Sequence, residues 1–392
     1  MRTIEKHLII LYFFICPLEM ALNIIFGSTT KYVGLLILMV WAMSIINDIE
    51  LGKTEISTSV VAMIVWLIYC YFSTLWGIRS SYTKEYLTTY LLMGIFLIVC
   101  TYQIWEAGEI NSFILAYCCG SLLMALLVIF AGSTEFNGRE TIRILNRYCD
   151  PNQVAANILP GALISFYRLQ EEKRTLIQCL SVVCFLFCTF AVLITGSRGG
   201  LLGYISSMVT IILVRTVSGK LKIRSLVLLI FFYIVMGVGL PDTTVRRLFE
   251  FSSYTEEYAQ GGNRLTLWSI LLKDFDAQWI VGHGVGSTII TYIRTTGGVH
   301  GVHNTFLLVI YEVGVIGFIL FIFPYVSELI YHIKRENDVY VALVIGALVC
   351  SFFLDALNLR YLWNSLMICI MKRSYDYKLL HKGYKSSSIY IK

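Results

Sequence analysis

Two histidines stand at the start of one apolar run, HGVHNTFLLVIYEVGVIGFI at residues 300–319. Asn304 is a suitable helix N-cap, which leaves His303 just before the first turn of the helix that follows. The positive end of that helix and nearby arginines disfavour a protonated imidazole. A neutral histidine can accept a proton, so His303 is predicted to be a general base, with His300 and Asn304 in supporting roles. The alternative is a histidine that only hydrogen-bonds the loop.

Glu312 lies inside the same apolar run, roughly 13 Å deeper than His303 at about 1.5 Å per residue. Because this depth separates it from a substrate at the helix start, Glu312 is predicted to pair with a polar group on a neighbouring helix; direct chemistry is the alternative. His300 and His303, with His283, form a second alternative, a metal site. No carboxylate or cysteine lies close to them in sequence, so no metal is predicted.

The segment TGSRGGLLGY, residues 195–204, places Arg198 at the start of another apolar run. Gly199 and Gly200 follow it, so a ligand can approach the backbone closely. A helix N-terminus presents free N–H groups and the positive end of a dipole, and an adjacent guanidinium completes a site suited to phosphate. Arg198 and Gly199 are therefore predicted to belong to an anion site. The alternative is an arginine that reaches the lipid headgroups.

A further helix is predicted within a long loop, over GGNRLTLWSILLKDF at residues 261–275, with Asn263 as its N-cap. Arg264 is its first residue, where a positive charge opposes the helix dipole. A bound anion would remove that conflict, so Arg264 is predicted to bind one; a solvated surface arginine is the alternative. The residues predicted to share one face, on the membrane surface or against the bundle, are Leu265, Trp268, Leu271, Leu272 and Phe275.

The tripeptide Asp150-Pro151-Asn152 precedes another apolar run. Asp150 is predicted to cap the helix that begins there, and Pro151 to occupy its first position, where a missing N–H costs nothing. The alternative is that Asp150 and Asn152 contact a glycan.

The amino-acid composition indicates which class of protein carries these side chains. Of the 392 residues, 57% are hydrophobic and only 14% are charged, whereas soluble domains average about 25% charged residues. The predicted fold class is an all-α integral membrane protein, a polytopic bundle of eleven or twelve transmembrane helices in a single domain, residues 1–392. The predicted spans are 8–26, 33–47, 59–76, 87–104, 111–131, 152–168, 176–195, 199–216, 225–240, 304–325, 339–357 and 361–371.

Lysine and arginine predict the orientation of the bundle. With the N-terminus in the cytoplasm, 18 of the 31 basic residues fall in cytoplasmic segments, as the positive-inside rule requires. Both termini are therefore predicted to be cytoplasmic, with residues 372–392 as a basic tail. Residues 241–303 form a large extracytoplasmic loop between helices 9 and 10. A modest outer loop, residues 132–151, carries Arg139, Arg143 and Arg147.

Three of these motifs follow one another in the order of a known family. They are SRG at an outer helix start, an arginine in the large outer loop, and an H-N-x-x-L-x-x-x-x-E-x-G-x-x-G block from His303 to Gly317. Over roughly residues 145–330, the chain resembles the superfamily of O-antigen ligases and O-antigen polymerases.

The resemblance implies a glycosyltransferase of the GT-C type in the bacterial inner (cytoplasmic) membrane. It would move a glycan from undecaprenyl diphosphate, or another polyprenyl diphosphate, to an acceptor on the extracytoplasmic face during synthesis of a cell-envelope polysaccharide. His303 would activate the acceptor hydroxyl, and Arg198 and Arg264 would hold the diphosphate. No metal, nucleotide sugar or other cofactor is implied, and in-line displacement would invert the anomeric configuration.

Two activities are open within this family. A polymerase joins carrier-linked repeat units of O-antigen or capsule, whereas a ligase transfers the finished chain to lipid A core or another acceptor. The modest outer loops favour a polymerase, because they leave little surface for a dedicated acceptor. A lipid-glycan flippase is a third alternative, disfavoured because the sequence has no visible internal repeat. The expected partners are the carrier-linked glycan, a glycan or lipid acceptor, the membrane and a polysaccharide chain-length regulator, and no nucleic acid.

Overall fold

The computed structural model describes residues 2–47, 57–78, 80–102, 104–136, 139–222, 264–274 and 277–381, with single residues between 230 and 245. Most of the predicted ninth span and Asn263 lie outside these residues. The described helices are α1 Arg2–Ile15, α2 Glu19–Phe26, α3 Thr29–Asn47, α4 Thr58–Phe72, α5 Ser81–Tyr102, α6 Ala107–Ala131, α7 Pro151–Glu171, α8 Thr175–Ile194, α9 Arg198–Val217, α10 Arg264–Lys273, α11 Ser287–Thr296, α12 Thr305–Lys334, α13 Asp338–Ser351 and α14 Arg360–His381. The strands are β1 Gly132–Phe136, β2 Arg139–Ile144 and β3 Arg147–Tyr148.

The apolar helices confirm an all-α polytopic membrane protein. In the described part, seven helical segments are long and apolar enough to cross a membrane. Shorter apolar helices cover Thr29–Ser44 and Asp338–Ser351. The total of eleven or twelve spans stays a prediction, because the segment predicted as the ninth span is mostly outside the described residues.

The last two predicted spans have different boundaries in the structure. Helix α13 ends at Ser351 rather than at residue 357, and a connection with a 3₁₀ turn at Ala356–Asn358 follows it. Helix α14 is longer than the predicted span and includes residues 372–381, which were predicted to belong to the tail. Its final turns are held by ion pairs, because Arg373 binds Glu328 on α12 at 3.0 Å and Lys378 binds Glu106 before α6.

The loop at residues 132–151, which was predicted to face outward, contains a small antiparallel sheet that the sequence analysis did not predict. Strand order is β1-β2-β3, with Gly132 opposite Ile142 and Arg143 opposite Tyr148. Leu145 and Asn146 both have positive φ, 47° and 63°. This is the backbone of a two-residue type I′ hairpin turn, for which asparagine is favoured.

The two ends of the described chain lie at the same end of the bundle. Arg2 at the start of α1 binds Glu109 near the start of α6 at 3.0 Å, and Lys378 in the last helix binds Glu106 beside it. The starts of α7, α9 and α12 meet at the opposite end. All the predicted site residues near helix starts are therefore collected at one end of the bundle.

Candidate active site

The starts of α7 and α9 are joined through one asparagine side chain. Ser197 is the N-cap of α9 and accepts a hydrogen bond from the Gly200 N–H at 3.1 Å. The Ser197 hydroxyl donates to Asn152 Oδ1 at 2.9 Å. Asp150 accepts from the Asn152 N–H at 2.8 Å, with Pro151 as the first residue of α7. The predicted capping role of Asp150 is confirmed. The Asn152 side chain also links the start of α7 to the start of α9.

Arg139 is a buried side chain at this junction, and the sequence analysis assigned it no role. It extends from β2, where its Nε donates to the Thr195 carbonyl at 3.0 Å and its Nη2 donates to Asn152 Oδ1 at 2.8 Å. It is 6% exposed. Arg198 is the first residue of α9, so two arginines belong to this helix start, a suitable environment for an anion.

The glycines after Arg198 serve helix packing. A Cβ on Gly199 would lie 2.7 Å from the Cβ of Phe353, and one on Gly200 would lie 2.6 Å from the Cβ of Ala155. Side chains of the protein therefore fill the space beside both residues. Helix α9 can approach α7 and the connection after α13 because these positions carry no side chain.

His303 stands in a left-handed backbone conformation just before α12, with φ 52°. The next residue, Asn304, accepts hydrogen bonds from the N–H groups of Phe306 at 3.0 Å and Leu307 at 3.1 Å. The predicted cap at Asn304 is therefore confirmed. Before it, the Val302 carbonyl accepts a hydrogen bond from the indole of Trp268 at 2.8 Å, so α10 is attached to this segment.

Asp355 lies beside His303 and is the second residue that the sequence analysis missed. Burial raises the pKa of its carboxyl group above the ordinary value. The charge of His303 and hydrogen bonds from the N–H groups of His303 and Asn304 act in the opposite direction. Arg264 also lowers this pKa through its charge. A Cβ on Gly301 would lie 2.5 Å from Asp355 Oδ2, so a glycine there leaves room for the carboxylate.

A threonine at the start of α12 fixes the position of Asp355. The Thr305 hydroxyl donates to the Leu354 carbonyl at 2.6 Å and accepts from the Ala356 N–H at 2.7 Å. Asp355 is thus held between two residues bonded to the same side chain. An acidic residue inside the predicted span 339–357 was the available signal, because a charge in a membrane helix usually has a partner or a function.

Arg264 is the first residue of α10, as predicted. The buried face of α10 differs in part from the predicted one. Leu271 is fully buried, whereas Leu265 and Leu272 are exposed. Leu267, which was not in the predicted face, is buried. The reason is that α10 packs on α11, where the Tyr292 hydroxyl donates to the Leu267 carbonyl at 3.2 Å. Phe275 lies outside the described residues.

Glu312 binds the N-terminus of α11. Its Oε1 accepts from the Thr288 hydroxyl at 2.7 Å, and the N–H groups of Gly286 and Thr288 also bind the carboxylate. The predicted pairing with a neighbouring helix is confirmed. Helix α12 is kinked just beyond, at Gly314 with φ 69°, and a Cβ there would lie 2.3 Å from the Ile280 carbonyl oxygen, so this position requires glycine.

His283 and His300, the other two histidines of the alternative metal site, both contact groups of the protein. His283 stacks on the Tyr311 ring at 4.3 Å, and its Nδ1 lies 3.2 Å from the Tyr311 carbonyl oxygen. His300 meets the Tyr292 ring edge-on at 6.2 Å. Across the part of the chain that the structure describes, no three His, Cys, Asp or Glu side chains lie close enough to hold a metal ion.

The connection Phe352–Asp355 joins two groups of polar residues. One contains His303, Asn304, Arg264 and Asp355. The other surrounds the start of α9, and Gly199 in it packs on Phe353. Trp268 of α10 lies against Phe352, with ring centroids 6.1 Å apart. Glu312, His283 and His300 lie around α11, and Glu312 is close enough to Asp355 for their charges to interact.

Comparison with known proteins gives one family match. Residues 183–322 match a family model described as O-antigen ligase. The predicted resemblance to the O-antigen ligase and polymerase superfamily is confirmed by this match. The matched segment contains Arg198, Arg264, His303 and Glu312, whereas Arg139 and Asp355 lie outside it. A search of curated proteins finds no match.

The match gives the general class of activity. It indicates a glycosyl-transferring enzyme of the O-antigen ligase or polymerase type, embedded in a membrane and acting on a lipid-linked glycan.

Proposed function

We propose that this protein transfers a glycan from a polyprenyl diphosphate, such as undecaprenyl diphosphate, to an acceptor hydroxyl. The observation that carries this proposal is the group formed by His303, Asp355 and Arg264, which the Phe352–Asp355 connection joins to the arginine-bearing start of α9. A proton acceptor and an anion-binding helix N-terminus are the two components that displacement of a diphosphate needs.

In the proposed reaction, the acceptor oxygen attacks the anomeric carbon of the carrier-linked sugar. The bond from that carbon to the diphosphate breaks, and the diphosphate leaves with the electron pair. His303 takes the proton of the acceptor hydroxyl. Arg198 and Arg264, with the N–H groups at the start of α9, stabilise charge that grows on the diphosphate. A single in-line displacement inverts the anomeric configuration, and the arginines supply the positive charge without a metal.

The acceptor we propose is a second carrier-linked repeat unit, which makes the enzyme a polymerase. Supporting this choice, the outer segment at residues 132–151 is a small sheet, and its buried Arg139 is directed to the start of α9. This segment therefore supports the anion site and leaves little surface for a dedicated acceptor. A ligase for lipid A core or another acceptor is the alternative within the same chemistry.

Purified membranes that contain the protein should convert carrier-linked repeat units into a ladder of longer glycans, with EDTA present throughout. The reason is that the proposed catalysis draws its positive charge from arginines. The measurement is gel separation of fluorescently labelled glycans. Activity that is lost with EDTA and restored by zinc or magnesium would contradict the metal-independent mechanism. A single transfer onto lipid A core, without a ladder, would identify a ligase.

The polar end of the bundle is proposed to face away from the cytoplasm, in the inner membrane of a bacterium. Support comes from the excess of basic residues in segments of the opposite end. A cysteine introduced at Gly298, in a variant without Cys149 and without the exposed Cys119 and Cys179, should react with an impermeant maleimide in intact cells, after permeabilisation of any outer membrane. Labelling of a cysteine at Lys220, with protection at Gly298, would invert the orientation and exclude the mechanism.

Asp355 is proposed to position His303 and to stabilise the imidazolium that forms when it takes a proton. Asp355→Asn is therefore expected to lower turnover about ten- to hundredfold, since a hydrogen bond to a charged group contributes about 1.5–3 kcal/mol. Loss of the negative charge also disfavours protonated His303, so the acidic limb of the pH–rate profile should move to lower pH. A lower rate without a shift of the acidic limb of the pH–rate profile would show that Asp355 has only a structural role.

A further inference from the structure

Buried polar atoms without a hydrogen-bond partner concentrate at the start of α14. Among the described residues, such atoms include Asp355 Oδ1, Asn358 Oδ1 and Arg360 Nε, and the Asn364 amide has only the weakly hydrogen-bonding Cys16 thiol beside it. Nearly all buried polar groups in folded proteins are hydrogen-bonded, to protein or to ordered water. Several unsatisfied atoms within one short stretch therefore leave hydrogen-bonding capacity for another polar molecule, whether ordered water or a ligand.

The surrounding side chains form a compact polar group. Arg360 Nη2 lies 3.3 Å from Glu19 Oε1, and Arg360 Nη1 donates to the Asn358 carbonyl at 2.9 Å. The Thr30 hydroxyl donates to the same Glu19 oxygen at 2.6 Å. Arg360 is 7% exposed and Asn364 is 1% exposed. The α14 entry cluster consists of Glu19, Thr30, Asn358, Arg360 and Asn364.

The charges of this cluster select the kind of ligand. The positive charge of Arg360 is compensated by Glu19, and the remaining members are neutral amides and a hydroxyl. A diphosphate carries several negative charges and requires more positive charge than this cluster provides. The unsatisfied atoms here are neutral amide donors and acceptors and one guanidinium N–H. They match the hydroxyl and acetamido groups of an uncharged sugar.

The position of the cluster indicates which sugar. Asp355 belongs to the stretch that leads into α14, and it accepts hydrogen bonds from the N–H groups of His303 and Asn304. In a displacement, the attacking hydroxyl and the leaving diphosphate occupy opposite sides of the anomeric carbon. His303 must contact the attacking hydroxyl, and Asp355 binds the backbone of His303, so a sugar site that begins beside Asp355 lies within reach of the acceptor.

We propose that the α14 entry cluster binds an uncharged sugar of the acceptor glycan and selects it for transfer. This proposal rests on the proposed function and adds the recognition of the acceptor to it. Asn364, Arg360 and Asn358 donate to or accept from hydroxyl and acetamido groups of that sugar. Glu19 and Thr30 hold the Arg360 guanidinium in place.

Two probes separate this site from the diphosphate site. One is the oligosaccharide released from the carrier by mild acid, which has neither lipid nor phosphate. The other is undecaprenyl diphosphate without sugar. In fluorescence titrations of the purified full-length protein, Asn364→Leu and Arg360→Lys should bind the oligosaccharide about tenfold or more weakly, the usual consequence of losing hydrogen bonds to buried groups. Both should bind undecaprenyl diphosphate as the wild type does.

Asn157→Leu is the matched control, because Asn157 on α7 is 2% exposed and its Oδ1 also has no partner. This variant should bind the oligosaccharide normally. Asn358→Ala, at a half-buried position, provides the same test if Asn364→Leu does not accumulate.

The outcomes distinguish this proposal from the proposed function. Normal oligosaccharide binding in Asn364→Leu, Arg360→Lys and Asn358→Ala would overturn the sugar site. The same conclusion would follow if the wild-type protein did not bind the oligosaccharide, or if Asn157→Leu weakened binding equally. Failure of the wild-type protein to bind undecaprenyl diphosphate or to elongate carrier-linked glycan would instead overturn the proposed function.

Discussion

His303→Ala is expected to reduce glycan transfer by about 10²–10⁴-fold, the usual contribution of a general base. The variant should still insert in the membrane and bind carrier-linked glycan, because the base acts on the acceptor hydroxyl rather than on the diphosphate. Two measurements test this result. Gel analysis should show collapse of the ladder of glycan lengths, and titration with undecaprenyl diphosphate should give wild-type affinity.

His300→Ala is the matched control for this variant. His300 precedes the same helix, but its ring lies against Tyr292, and Asp355 contacts His303 instead. We expect His300→Ala to retain most of the activity. If His300→Ala were inactive and His303→Ala active, the base would be the other histidine. If both variants were active, the proton would be accepted elsewhere and the mechanism would be wrong.

The local parts of this site could be predicted from the sequence. Asp150 and Asn304 were predicted as caps, and both side chains accept the expected backbone hydrogen bonds. A cap depends on one side chain and the N–H groups two or three residues ahead, so a short stretch of sequence contains all of its information. Glu312 was predicted to have a partner because a carboxylate is costly in an apolar run.

The residues that complete the site come from distant parts of the chain. Arg139 reaches Asn152 and Thr195 from a strand in a separate loop. Asp355 reaches His303 because Thr305, at the start of α12, binds the backbone of Leu354 and Ala356 on either side of it. Arg139 has no local pattern that sets it apart from other arginines, and the only signal for Asp355 was its charge inside a predicted span. Their positions depend on how helices pack, which spacing along the sequence does not describe.

The glycines after Arg198 show that one sequence pattern is compatible with two different neighbours. Gly199 and Gly200 were expected to admit a ligand, because a glycine removes the steric barrier to close approach. In the structure, Phe353 and Ala155 occupy that space. The sequence predicts that something approaches the backbone closely, and only the tertiary structure determines whether it is a ligand or a neighbouring helix.

Arg198→Ala is expected to lower turnover by about 10²–10³-fold, as for removal of one group that stabilises charge in a transition state. Unlike His303→Ala, it should also weaken binding of undecaprenyl diphosphate, since the charge on the diphosphate exists before the reaction and grows during it. Arg264→Ala should show the same combination. Arg198→Lys should restore only part of the activity, because an ammonium group lacks the two-pronged geometry that matches phosphate oxygens.

Arg143→Ala is the matched control for loss of a positive charge at this end of the bundle. Arg143 is exposed on the same strand as Arg139, and its guanidinium lies 5.4 Å from the Tyr148 ring centroid. This variant should bind undecaprenyl diphosphate normally. If Arg143→Ala weakened binding as much as Arg198→Ala, a diffuse positive field would attract the carrier. If Arg198→Ala bound normally but turned over slowly, Arg198 would contact only the transition state, and the start of α9 would not be the ground-state diphosphate site.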